Sequence, residues 1–275
     1  YSNLNVIRHK ININDYPVIS FLREMYSKSD ILIPSFNQAF QVSAFKALKD
    51  NNVKAIFDGF DGDSSISFGT EKFFILASKF KPIELYNERL KYSEIHNLSY
   101  SKINIIKKTL TSLFKRKPQG SAQFLHSEVF NYYGWDLAFE YTENHANMFG
   151  FEELYPFFDR DFMQYLISVP VSQKLNEGKS RHHFRNAMNG IIPDSIKNRY
   201  TKGNLSKMWI DEVKRLNLNE LDKIFQETDS EKYFDTSKTI QDLILLKNEN
   251  LKNESYFANT IFQKISFSLW IESNK

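Results

Sequence analysis

In the segment FNQAFQVSAFKALKD, residues 36 to 50, apolar positions recur at spacings of three and four: Phe36, Phe40, Ala44, Ala47 and Leu48. That period gathers them on one side of a helix. The segment ends in DNN, and VKAIF follows, a short apolar run of the kind that forms a buried strand in a parallel sheet. Helix, tight connection and strand make the second half of a βαβ unit. The opening NLNVIRHKININDYP, with Val6, Ile11 and Ile13, supplies a candidate earlier strand.

After residue 70 the spacing becomes helical, beginning with EKFFILASKF. Pro82 and Pro118 mark turns, and between them YSEIHNLSYSKINIIKKTLTSLF predicts one long helix or two, followed by a polar link at KRKPQGS. Residues 124 to 150 predict a helix pair broken near Gly134. The tail, 207 to 275, is helical again: Trp209, Ile210 and Val213 share a face, and LDKIF, IQDLILL and IFQKISFSLWI continue as stripes of a core. No internal repeat or low-complexity tract interrupts the chain.

Composition narrows the class. With 275 residues, 41% hydrophobic and 25% charged, the chain can bury a sizeable core as one large domain or two modest ones. No apolar stretch reaches the roughly 18 to 20 residues that cross a bilayer. The absence of Cys excludes disulfides, thiolate metal sites and a cysteine nucleophile within the chain, and fits a reducing, cytoplasmic setting. A net charge of +3 argues for nucleic acid only where it is clustered; the densest run, KKTLTSLFKRK at 107 to 117, lacks interleaved aromatics and reads as a solvated helix end. Neither a nucleic acid nor a membrane is expected as a partner.

Two stretches carry candidate chemistry. The first, IFDGFDGDSSISFG at 56 to 69, sets three aspartates and three glycines just after the apolar run. A strand ending in a glycine-rich turn leaves backbone N–H groups free to converge on an anion, at the sheet edge where α/β proteins bind ligands. Asp58, Asp61 and Asp63 would repel a bare phosphate, and a magnesium ion between carboxylate and phosphate resolves the conflict. An acidic loop capping a helix is the alternative.

The second runs from EELYPFFDRDFMQYLISVP to SRHHFRNAMNGIIPDSIKNRYTKGNLS. Here YPFFD is an apolar turn whose Asp159 is suited to N-cap the following helix, which Pro170 closes. Arg181 and Arg185 are four apart, on one helix face, and Arg199 and Lys202 follow Pro193. Cations gathered in this way meet the charge that builds on departing phosphates. Surface charges are the bland reading. His182 and His183, adjacent on a helix and about 100° apart, do not chelate one ion together easily.

Taken in order, DGFDGDSS, EELYPFFD, RHHFRNAM, IIP and RYTK resemble the motifs of the synthetase domain of the asparagine synthetase family, over residues 30 to 206. The resemblance implies an α/β fold: the end of an adenine nucleotide α-hydrolase-like parallel sheet in residues 1–70, and a mostly helical remainder in 71–275. Because the chain starts at Tyr1 and DGFDGDSS matches a later loop, the family's S-G-G-x-D-S pyrophosphate loop is expected upstream, together with a glutaminase domain or another ammonia source.

The resemblance also implies the reaction. Such enzymes use ATP and Mg2+ to convert a carboxylate, here a small molecule or peptide, to an acyl-adenylate with loss of pyrophosphate; an amine then displaces AMP. Asp63 matches the loop aspartate facing magnesium pyrophosphate, with Gly59 and Gly62 shaping the loop and Asp61 beside it. Lys202 matches the cation that stabilises both transition states, Arg181 and Arg199 contact phosphate or adenylate, and Glu152 and Asp159 organise the site from the helical side. Three positions depart from the pattern. Phe60 stands where asparagine synthetases carry a glutamate resembling a base for ammonia, Ser64 replaces the Glu after the loop aspartate, and Leu154 replaces the Arg of E-x-R-x-P-F. A phenyl ring takes no proton, so these departures imply a divergent ligase on another carboxylate, a β-lactam-type or lasso-peptide-type cyclase, or a binding module that has lost the chemistry.

Overall fold

The computed structural model describes residues 16–49, 53–60, 62–115, 120–132, 134–201, 206–248, 251 and 253–275. The candidate strand at 1–15 therefore lies outside the described residues, as do Asp61 and Lys202. The fold is mixed α/β and mostly helical, and the chain divides into two compact units.

The first unit comprises 1–56, 138–153 and 204–275. Its centre is α16 (Glu254–Ser273), whose Ala258, Ile261, Phe262, Ile265 and Leu269 are all buried. Around it lie α1 (Val18–Tyr26), α13 (Ser206–Arg215), α14 (Leu218–Glu227) and α15 (Thr236–Asn248). In α2 (Phe36–Leu48) the expected helix begins after Ser35, whose side chain accepts from the Gln38 N–H; Phe36 stacks on Trp209 with ring centroids 4.9 Å apart. Trp209, Ile210 and Val213 are buried together on α13, as their spacing requires. A buried hydroxyl pair ties this core together: Tyr26 Oη meets Ser266 Oγ at 2.5 Å and accepts from the Ile33 N–H at 3.0 Å.

Strands β1 (Ala55–Phe57) and β2 (Glu152–Leu154) form a short parallel sheet. The Glu152 N–H donates to Lys54 O at 2.9 Å, and the Asp58 N–H donates to Leu154 O at 3.0 Å. VKAIF thus becomes a strand, but not a buried one: the Phe57 side chain is 75% exposed, because among the described residues β1 pairs with β2 alone.

The second unit comprises 57–137 and 154–203. It contains α3 (Gly62–Ser65), α4 (Lys72–Ser78), α5 (Pro82–Ile95), α6 (Lys102–Phe114), α7 (Ala122–Phe130) and the start of α8 (Gly134–Met148), so the helix pair does break just before Gly134. After a short 3-10 turn, α9 (Arg160–Ser168) begins at Asp159, whose carboxylate accepts from the Phe162 N–H at 2.9 Å. α10 (Val171–Lys174), an antiparallel hairpin of β3 (Leu175–Asn176) and β4 (Lys179–Ser180), α11 (His182–Ala187) and α12 (Asp194–Lys197) follow. The hairpin turn holds Glu177 and Gly178 at positive φ, as a two-residue I′ turn demands. A Cβ on Gly178 would lie 2.4 Å from the Lys91 backbone, so glycine is required twice over. The Gly178 N–H also donates to Glu88, which is paired with Lys72 at 2.8 Å, both side chains largely buried.

Candidate functional site

All the geometry below lies within the second unit. The chain leaves β1, turns through Gly59 and Phe60, and enters α3 at Gly62, where the Gly62 N–H closes on Gly59 O. The Phe157 ring covers this turn closely, since a Cβ on Gly62 would sit 3.3 Å from it. Asp63 follows on the first turn of α3, and Oδ1 accepts from Arg181 Nη2 at 2.6 Å and from Ser67 Oγ at 3.1 Å. Arg181 Nε donates to the same Ser67 hydroxyl at 2.5 Å, so one carboxylate, one hydroxyl and one guanidinium form a closed triangle.

Arg181 reaches Asp63 because of its backbone. It does not share a helix face with Arg185, contrary to the spacing argument: α11 starts at His182, and Arg181 precedes it with φ at +56°, in the left-handed region. The two guanidinium groups consequently diverge. Arg185 Nε donates to Ser180 O, its Nη1 to Lys197 O and its Nη2 to Arg199 O, while the group lies 4.1 Å over the Tyr200 ring. Arg185 holds the segment that carries Arg199 and is not itself free to meet a ligand; that role depends on carbonyls 12 and 14 residues away and leaves no trace in local spacing.

Two adjoining cavities use these groups. One, about 500 Å³, is lined by Gly59, Gly62, Asp63, Ile66, Phe157, Arg181 and Phe184. The other, about 910 Å³, shares Asp63, Arg181 and Phe184 and extends to Arg199, Tyr200 and His96. The structure therefore brings Gly59, Gly62, Asp63, Arg181 and Arg199 to one region. Glu152 and Asp159 do not line either cavity: Glu152 is an exposed residue of β2 in the first unit, and Asp159 is engaged as the helix cap. Asp61 and Lys202 lie outside the described residues. Phe60 packs in an aromatic group, with ring centroids 5.8 Å from both Trp135 and Tyr155 and 6.2 Å from Phe158.

Behind the loop lies a buried polar chain that the sequence did not suggest. Lys174 Nζ donates to His126 Nδ1 at 2.8 Å. That bond leaves the other ring nitrogen to carry the proton, and Nε2–H donates to Ser64 O at 3.1 Å, next to Asp63. The His126 ring stacks on Phe68 with centroids 4.2 Å apart. Burial first, and the Lys174 charge second, hold the imidazole neutral, with its pKa pushed down to about 4; burial likewise lowers the Lys174 ammonium to about 8.

A short parallel strand thus leads into a glycine turn beside two adjoining cavities, Asp63 and Arg181 lining both and Arg199 the larger, at the strand end where α/β proteins commonly bind ligands. The sequence model of the asparagine synthase family matches residues 50–272, and the chain belongs to that family of ATP-dependent ligases. No curated protein and no solved structure matches the chain.

Proposed function

We propose that the protein is an amide-forming ligase: a substrate carboxylate oxygen attacks the α-phosphorus of ATP, pyrophosphate departs, and an amine attacks the acyl-adenylate to release AMP. The observation that carries this reading is the Asp63, Ser67 and Arg181 triangle beside the Gly59 and Gly62 turn, in a chain of this family. Arg181 and Arg199 supply positive charge toward departing phosphates, and Lys202, on the motif it matches, supplies the cation that stabilises the acyl transfer. Among the described residues, Asp63 is the carboxylate lining both cavities. That donor set fits magnesium, which commonly takes one or two carboxylates plus phosphate oxygens. A bound magnesium would offset charge on pyrophosphate.

In this reading residues 1–70 complete an adenine nucleotide α-hydrolase-like sheet and 71–275 form the helical remainder, in a cytoplasmic enzyme fed by an upstream glutaminase domain or by another amine source. The aromatic packing of Phe60 favours an amine carried by the substrate, as in β-lactam-type and lasso-peptide-type cyclases, over free ammonia. The test is AMP and pyrophosphate release by the full-length native chain with ATP, magnesium and a panel of carboxylates, with and without ammonia. Release with one carboxylate class establishes the ligase; nucleotide binding without release from any carboxylate establishes a binding module instead.

A further inference from the structure

The basic run around α6 has a face that the ligase reading leaves unused. Ile105, Thr109 and Leu113 of α6 are buried inward. A second stripe, Ile103, Ile106, Leu110 and Phe114, recurs at intervals of three and four and points outward; Ile103 is 65% and Phe114 80% exposed. An expected solvated helix end is thus apolar on its outer side. The stripe continues across the helix pair. Arg89 of α5 bonds Ser112 of α6, and Leu85 shares a small core with Leu113, so the two helices run antiparallel. This brings Ile83, 75% exposed at the start of α5, to the same end as Phe114.

Charge accompanies the stripe. Between His96 and Ser127 the chain has six Lys and Arg and no Asp or Glu, although 33 carboxylates occur overall and the net charge is only +3. The positive charge of the protein is therefore concentrated here, and the rest of the chain is net negative. Lys107 lies within the span of the exposed stripe and Lys115 just beyond it, and both are exposed.

We propose that this face of α6 binds an anionic membrane surface. Exposed Phe and aliphatic side chains beside lysines suit the boundary of headgroups and acyl chains, where the rings and branches bury and the ammonium groups stay at phosphate level. A second copy of the chain is a poorer occupant, since pairing two such faces would set lysines against lysines without a carboxylate from this segment. The contact proposed is that of a helix face lying on the surface; among the described residues no helix is long and apolar enough to cross a membrane. It stands independently of the ligase reading.

The test is sedimentation of the full chain with vesicles of phosphatidylcholine alone and of phosphatidylcholine mixed with phosphatidylglycerol. The chain is expected to pellet with the anionic vesicles, and to be released by salt. Leu110→Ser with Phe114→Ser, and separately Lys107→Gln with Lys115→Gln, should each weaken binding about tenfold. These side chains are exposed, and an unchanged unfolding midpoint verifies each variant's fold. Absence from the anionic pellet, equal binding to neutral vesicles, or undiminished binding by both double variants overturns the proposal. So does a dimer in scattering that the Phe114→Ser change dissociates, or capture by an acidic amphipathic peptide without any binding to vesicles.

Discussion

Lys174 donates its ammonium to His126 Nδ1 at 2.8 Å, and both residues are essentially closed to water, 1% and 0% exposed. A buried charge left without its partner is far costlier than a buried neutral ring left without its donor. His126→Leu is therefore expected to destabilise by about 3 kcal/mol or more. Lys174→Met, which removes the charge and keeps the length of the side chain, should cost only about 1 to 2 kcal/mol. Urea unfolding of the two variants measures the difference; if Lys174→Met is the worse of the two, the ammonium is not what His126 serves to satisfy.

The same imidazole makes stability depend on pH in a defined window. In the unfolded chain it titrates near its ordinary value of 6.5, whereas burial and Lys174 lower it to about 4 in the fold. Between those values the unfolded state binds more protons, so stability is fully present above 6.5 and is lost as the pH falls toward 4. Burial lowers His96, His145 and His183 in the same direction, which adds to the slope. Unfolding midpoints taken across this range should fall with acidification, and less steeply in His126→Gln than in the parent when each is referred to its own value at neutral pH. An equal slope in both would remove His126 as a source.

Asp63 and Arg181 separate function from stability. Their side chains are 57% and 36% exposed, and a pair so open to water contributes less than about 1 kcal/mol to folding. Arg181→Ala should leave the unfolding midpoint nearly unchanged while AMP formation by the full-length enzyme falls roughly 10² to 10³-fold, the usual loss for one preorganised donor. Arg181→Lys keeps the charge but not the fork that joins Asp63 to Ser67, and should recover only part of the activity. A large loss of stability in either variant would mean that the triangle is a structural clamp.

What the sequence disclosed and what it withheld divide along the range of the interactions. The helix α2, the Asp159 cap of α9 and the buried face of Trp209, Ile210 and Val213 follow from contacts within a few residues, so periodicity and cap chemistry suffice to find them. The side of α2 that is buried nevertheless carries Ala39, Val42 and Phe45 with Phe36, and leaves Phe40, Ala44, Ala47 and Leu48 half-buried. The proximity of Gly59, Gly62, Asp63, Arg181 and Arg199 was legible only as an ordered set of motifs, because Asp63 and Arg181 are 118 residues apart. Spacing even misled at Arg181, where a left-handed backbone starts the expected helix one residue late. His126 and Lys174 gave no signal: a histidine and a lysine 48 positions apart, in short helices, have no pattern that marks them as a pair. Nor did the apolar run of β1 reveal the exposure of Phe57, since burial depends on which neighbours the strand acquires.

Gly178 tests whether the hairpin delivers Arg181. With φ at +76° and the Lys91 backbone 2.4 Å from any added Cβ, Gly178→Ala meets both left-handed strain and a clash that no rotamer relieves. The expected loss is about 2 to 4 kcal/mol by thermal unfolding. β4 ends at Ser180, immediately before Arg181, so AMP formation should drop in this variant even at temperatures where the fold persists. Retained stability would show that the turn tolerates a side chain and that its glycine has another role.

Phe60 offers the sharpest distinction between a ligase using free ammonia and one using an amine within its substrate. Its ring lies edge-on to both Trp135 and Tyr155, so the position is apolar by construction rather than a lost carboxylate awaiting repair. Phe60→Glu would set a carboxylate against these rings and should destabilise by about 1 to 3 kcal/mol, without raising ammonia-dependent AMP release. Phe60→Leu keeps the site apolar, sacrifices the edge-on contacts at a cost of about 1 kcal/mol, and should retain AMP release with the native substrate. The decisive readout is the ammonia dependence of the Glu variant at a temperature where it remains folded. A gain of ammonia-driven turnover there would mean that a single carboxylate was the missing element, and that the aromatic packing of Phe60 is incidental to the choice of amine.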